Sequence, residues 1–221
     1  PYAYVSNIVL FAVSSIFCFI IAQQIPFNPL ELLWERSQLF WLFGLYLLLA
    51  FPFFFAANAI GLAFIRHKTD ISGLYGADLF GAGLGSLGIL ILLYLFFPES
   101  ILQLIALLGL LSAVIATREV MLKPNGVLLL LFSAALFSVL FFARDFTLKM
   151  NAYKDLSQTL QISGTQIIEE RSSPLGMISV VQSLDVPFRY VPGLSMASAA
   201  EPLQQLGIFT NGDGMSAITK Y

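Results

Sequence analysis

A chain of 221 residues would ordinarily make one or two water-soluble domains, but 58% of this one is hydrophobic, only 11% is charged, and its mean hydropathy is +0.84. Soluble proteins carry about 25% charged residues, and a soluble globule of this size could not hide 21 Phe behind 11 Lys plus Arg. A formal charge of −2 excludes the clustered cations that nucleic acid needs, and the single cysteine, Cys18, excludes an internal disulfide.

Charges fall in small clusters between long uncharged stretches. A helix crosses about 30 Å of hydrocarbon with about 20 apolar residues, and about 17 is the lower limit. The stretches predict five spans, at about 3–22, 38–65, 74–97, 101–117 and 127–143. The expected fold class is thus an α-helical polytopic membrane protein over residues 1–150, followed by a small, mainly β extramembrane tail over residues 151–221. Residues 3–22 lack the basic n-region of a signal peptide and read as a transmembrane helix. The opening on Pro1 rather than Met suggests a chain that starts inside a longer polypeptide or after processing.

Between the first two spans, Pro26, Pro29 and the run Leu30–Trp34 suggest a short segment on the membrane surface, with Trp34 and Trp41 as interfacial anchors. Within the second span, Phe51, Phe53, Phe54 and Phe55 surround Pro52. Phenylalanine has no polar handle, so this patch faces lipid or packs against a neighbour, with a kink near Pro52 allowed. His67 stands between Arg66 and Lys68 without a second histidine or a CxxC, and is read as a loop residue rather than a metal ligand.

The third span carries the one acidic residue inside a predicted span, Asp78, which should face a bundle interior, a polar cavity or the headgroups. Gly81, Gly85 and Gly88 follow it at steps of three and four residues, so all four share one helical face. Ala77, Gly81 and Gly85 form a small-xxx-small series, the pattern that lets two helices approach closely. Asp78, Gly81, Gly85 and Gly88 are therefore assigned a helix-packing role. Gly81-Ala82-Gly83-Leu84-Gly85 lies inside an apolar helix, not after a strand, which excludes a nucleotide fingerprint.

Arg66 and Lys68 share a side with Arg118 and Lys123 if five spans are counted, and the positive-inside rule would make that side cytoplasmic. Arg36, Arg144, Lys149 and Lys154 balance them on the other side, so the rule assigns no side to the tail. In the tail, residues 152–161 read as a short helix with Leu156 and Leu160 on one side. Thr165–Arg171 and Met177–Gln182 read as strands joined by a turn at Ser172–Gly176, and Phe188–Val191 as a third short strand. Asn211–Gly212–Asp213–Gly214 lacks the length and closing Glu of a calcium loop and reads as a tight turn. Glu169 and Glu170 are adjacent, so on a strand they face opposite ways and cannot pair as acid and base. No GxSxG, HExxH or P-loop is present. No residue is assigned as catalytic, cofactor-binding or metal-ligating.

The run from Leu74 to Gly85, Leu-Tyr-Gly-Ala-Asp-Leu-Phe-Gly-Ala-Gly-Leu-Gly, resembles the glycine-rich helix of spermidine-synthase-like integral membrane proteins. The stretch from Gly164 to Val181, continued by Pro192-Gly193-Leu194-Ser195, is similar to the start of their aminopropyltransferase-type domain. The resemblance covers roughly residues 74–221. It implies a multi-span region, then a β-hairpin leading into a Rossmann-like domain, with decarboxylated S-adenosylmethionine and a polyamine as the family's substrates. It also implies a carboxylate that positions the amine and takes its proton. The glycine loop and acidic residues that would do this belong beyond Tyr221, so none is assigned here.

The expected function is a non-catalytic membrane scaffold, or a subunit of a membrane protein complex, related to those proteins. One alternative is the membrane-anchored N-terminal part of an aminopropyltransferase-like enzyme. A second is a small-solute transporter, for which polar groups meeting at mid-depth and an inverted repeat are required and not visible. Expected partners are the lipid bilayer and other membrane subunits or a second copy of the chain, and the expected location is a bacterial inner membrane.

Overall fold

Four apolar helices occupy residues 2–120 of the structure, a computed structural model in which residues 2–120, 148–188, 195, 197 and 204–219 are described. They are α1 (Tyr2–Ala22), α2 (Ser37–Arg66), α3 (Ile71–Leu95) and α4 (Pro98–Val120). The shortest has 21 residues, or about 31 Å of helix, which matches the hydrocarbon core of about 30 Å. All four are long and apolar enough to cross a membrane, and the chain is an integral membrane protein. The fifth expected span, 127–143, lies outside the described residues.

The charges that bounded the expected spans turn out to sit inside the helix ends. α4 runs past the expected 101–117 because Pro98 pre-sets its first turn, Glu99 suits the positive N-terminal end, and Arg118 suits the C-terminal one. At the start of α3, Asp70 Oδ1 accepts from the Gly73 backbone N–H at 3.1 Å, capping the helix three residues before the expected Leu74. α2 continues as one 30-residue helix through Pro52.

α1 and α4 are the most deeply buried of these helices, and they pack on one another through small residues. One buried cluster joins Val5 and Val9 to Ala113 and Ala116; a second joins Ala12 and Ile16 to Ala106 and Leu110. Residue numbers rise along α1 as they fall along α4, so the pair is antiparallel. A Cβ on Gly109 would lie 3.1 Å from the Ala12 Cβ and 3.2 Å from the Phe11 ring. Lipid gives apolar side chains no reason to seek one another, so this close backbone approach supplies the van der Waals contact that holds the pair. Serines tolerate the apolar setting because Ser14 and Ser15 donate to the Phe11 carbonyl, at 3.3 and 2.7 Å.

The expected surface segment is a single 3₁₀ turn, Pro29–Leu33, opened by Asn28, whose Oδ1 accepts from the Leu30 N–H. Buried Gln38, the second residue of α2, clamps the turn. Its Oε1 accepts from the Asn28 N–H and its Nε2 donates to Glu31 Oε2, each at 2.9 Å.

The chain divides into two compact units, one drawn from Pro1–Leu87 and Glu99–Leu148, the other from Gly88–Pro98 and Lys149–Tyr221. The second contains a short helix, α5 (Asp155–Thr159), and four strands: β1 (Thr165–Ser173), β2 (Gly176–Ser183), β3 (Gln205–Thr210) and β4 (Asp213–Thr219). The strands form an antiparallel meander in the order β1-β2-β3-β4. Alternate residues Ser179, Val181 and Ser183 of β2 and Gln205, Gly207 and Phe209 of β3 are buried, the period of two expected of a one-sided sheet. Val181 and Phe209 form the core with Leu156 of α5 and Phe188; Met150 and Met215 pack around them.

The hairpin expected between Thr165 and Gln182 is present, reaching Ser183 at its far end; its turn is tighter than the expected Ser172–Gly176, because Ser172 and Ser173 pair with Met177 and Gly176 and leave Pro174–Leu175 as the loop. α5 is half the expected helix, and Leu160 lies beyond it. The strand expected at Phe188–Val191 lies outside the described residues except for Phe188, a non-strand residue in the core. β3 and β4 were not anticipated.

Two substitutions probe these cores in the intact protein. Gly109→Leu should lower thermal stability in detergent, at a cost of about 1–3 kcal/mol from overpacking, whereas Gly83→Leu, with open space around its Cβ, should change it little. Phe209→Ala should cost about 3–5 kcal/mol. It should strip hydrogen-exchange protection from residues 165–183 and 205–219 while the helix signal in circular dichroism stays.

Candidate functional site

Asp78, Gly81, Gly85 and Gly88 lie on α3, and at about 100° per residue they span an arc of about 80°. Gly83 points to the far side. α3 has no buried residue, and nothing among the described residues comes within 4 Å of a Cβ built on Gly76, Gly81, Gly83, Gly85 or Gly88. The expected residues are thus brought together on one smooth face, and no described residue covers it. Asp78 lies seven residues into the helix, about 10 Å along its axis, and no cation stands within 4 Å of it among the described residues. An ionised carboxylate costs up to about 2.5–3.5 kcal/mol at the centre of a bilayer helix, so a partner that solvates Asp78 would be stabilising.

Where α2 and α4 both end, Glu119 Oε1 lies 3.2 Å from Arg66 Nε and 3.2 Å from His67 Nε2. His67 is exposed, as a loop residue should be, but it is not solitary: Glu119, overlooked in the sequence, ties the two helix ends. Exposed ion pairs are worth about 0–1 kcal/mol, so the cluster sets register more than stability. Among the described residues no group of three His, Cys, Asp or Glu could hold a metal. Polar side chains within the spans are spent locally. Asn7, Asn58, Ser86, Ser112 and Thr117 each donate to a carbonyl three or four residues back on their own helix.

In the second unit a cleft of about 570 Å³ lies between α5 and the sheet, lined by residues including Asp155, Gln158, Thr159, Ile162, Phe188 and Phe209. Its one carboxylate, Asp155, accepts from the Gly214 N–H at 3.3 Å. Among the described residues no second titratable group lines it, and most of its described wall is apolar. Glu169 and Glu170 have separate partners, as their adjacency required. Glu169 accepts from Arg171 Nε at 2.7 Å, and Glu170 accepts from Ser179 Oγ at 3.0 Å.

Asn211–Gly214 is a tight turn. Asn211 (φ 53°) and Gly212 (φ 79°) occupy the two positive-φ positions of a two-residue hairpin loop between Thr210 and Asp213. Asn211 also binds the neighbouring hairpin: its N–H donates to the Met177 carbonyl at 2.7 Å and its Oδ1 accepts from the Met177 N–H at 2.9 Å. Lys154 Nζ donates to the Asn211 carbonyl at 2.6 Å and to Asp213 Oδ2 at 2.7 Å. A lysine ammonium therefore takes the place among these oxygens that a calcium ion would need.

Hydrogen bonding from Lys154 holds the Asp213 carboxyl below its ordinary range, helped by the lysine's charge and by a backbone bond in the Asp155 region. The group binds its proton less readily folded than unfolded, so its contribution is present above the ordinary value of about 3.9. It is lost as pH falls through the lower folded value. Lys154→Gln should raise the Asp213 pKa in an NMR titration and reduce the loss of tail stability below about pH 4. An unmoved Asp213 titration would contradict the contact.

Compared with protein-family models, with curated proteins and with solved structures, the chain matches none.

Proposed function

We propose that the protein is a non-catalytic structural subunit of a membrane complex, with the Asp78–Gly81–Gly85–Gly88 face of α3 as its docking surface for a partner helix. The observation that carries this is the open face itself: a spanning helix with no buried residue, bearing three glycines and a carboxylate on one side. Glycine costs about 1 kcal/mol against alanine inside a helix, and on this face it leaves a flat surface that another backbone can approach. A partner from another subunit, or a second copy of the chain, would gain contact along the groove and would place a donor on Asp78. Asn7, Asn58, Ser86, Ser112 and Thr117 are engaged with their own helices, and Asp78 meets no second polar group from another span among the described residues, which leaves transport the weaker choice. A bacterial inner membrane is the location that goes with this proposal.

A second proposal is kept because one observation favours it. β1 and β2 pair on the residues where the resemblance to spermidine-synthase-like membrane proteins implies a hairpin. On that proposal the chain is the membrane-anchoring part of an aminopropyltransferase-like enzyme.

Extraction from native membranes in a mild detergent, followed by native electrophoresis, tests the first proposal. Wild type and Gly83→Leu should migrate as an assembly larger than the same chain dissociated in denaturing detergent, and Gly85→Leu should fall to the free chain with unchanged helix content. Equal migration of both variants would remove α3 from the interface. Transfer of an aminopropyl group to a polyamine by the natively purified protein would decide for the second proposal.

A further inference from the structure

We infer that the groove between α1 and α2 is a binding site for one acyl chain of a membrane phospholipid, with its phosphate held at Arg36. Two apolar hollows, of about 500 and 530 Å³, lie between these helices, and both are lined by Gly44 and Leu48. They are successive parts of one groove. Trp41 lines the hollow nearer the start of α2, and Phe17, Phe51 and Phe55 line the deeper one. Trp41 and Phe51 are ten residues apart on α2, about 15 Å of helix, which is the depth of one leaflet of a hydrocarbon core of about 30 Å.

The walls indicate an apolar guest. Ser14, a hydroxyl in the deeper hollow, already donates to Phe11, and Ser37, at the outer end, donates to Glu35 at 2.6 Å. Besides these hydroxyls only the Trp41 indole and the Cys18 thiol bring polar atoms to the described walls, so a polar guest would find few partners. Gly44 opens the space, since a Cβ there would meet nothing within 4 Å among the described residues. The groove is also continuous with the lipid-facing surface of α2: Leu47 and Phe51, which line it, are about half exposed. A thin flexible chain fits such walls better than a helix, whose backbone needs the small residues found on α3 and not a row of phenylalanines.

Charge complements the outer end. Arg36 immediately precedes Ser37 and is exposed, with no carboxylate within 4 Å among the described residues. The neighbouring acids keep their charges but accept from neutral donors, Glu31 from Gln38 and Glu35 from Ser37, and neither pairs with Arg36. A guanidinium at headgroup level pairs with a phosphate through two parallel hydrogen bonds.

The test uses the full chain in nanodiscs of phosphatidylethanolamine and phosphatidylglycerol, extracted into detergent, with bound phospholipid counted by native mass spectrometry. Wild type should keep one phospholipid per chain through detergent washes. Gly44→Leu, which fills the groove, should abolish retention at unchanged helix content. Arg36→Gln, an exposed change that leaves the helices intact, should weaken retention roughly tenfold, as expected for a charged hydrogen-bond pair. Failure of wild type to retain lipid, or retention by Gly44→Leu equal to wild type, would overturn the site. So would a shift in assembly mass on Gly44→Leu with lipid unchanged, since the occupant would then be protein.

Discussion

Close approach of two helix backbones at Ala12 and Gly109 is the constraint on which the membrane unit depends. Lipid tails are as apolar as leucine, so burial in the bilayer does not by itself tell one helix face from another. Contact distance does. With Ala106, Gly109, Ala113 and Ala116 on one side of α4, α1 can lie against it along most of its length, and the buried valines and Ile16 of α1 fill the remaining space. A larger side chain at Gly109 would have to displace Ala12 or Phe11.

The same physics gives the other faces different uses. α3 offers glycines but meets no described residue, so its face is smooth, open and interrupted by a carboxylate. The α1–α2 groove offers phenylalanine and leucine, with one glycine opening it. A small-residue face suits a backbone; an aromatic groove suits a chain without one. Function in this protein is accordingly read from which surfaces are closed and which are left for the bilayer or a partner, because the described residues bring no reactive pair together.

Hydropathy made the four described spans legible, and misplaced their ends by the few residues where charges cap a helix. It did not reveal which small-residue series forms the seam. Ala77–Gly81–Gly85 and Gly109–Ala113 have the same spacing, and spacing describes the shape of a face without naming its neighbour. Gln38 and Glu119 were illegible for a related reason: their partners are 7 to 53 residues away in sequence. In the tail, the first hairpin could be read from Ile167, Ile168, Val180 and Val181. The second was there to be read in the alternation of Leu206 and Ile208 with Gly207 and Phe209 before Asn211–Gly212, the dipeptide most suited to a tight hairpin loop.

The seam can be measured directly by disulfide formation in native membranes. In a Cys18→Ala background, Ala12→Cys with Gly109→Cys places two Cβ atoms about 3.1 Å apart, close enough for a bridge after a shift of a few tenths of an ångström. Rapid, near-complete cross-linking is expected, together with no cross-link between Ala12→Cys and Gly83→Cys. Failure of the first pair to react, or equal reaction of both, would contradict the packing of α1 on α4.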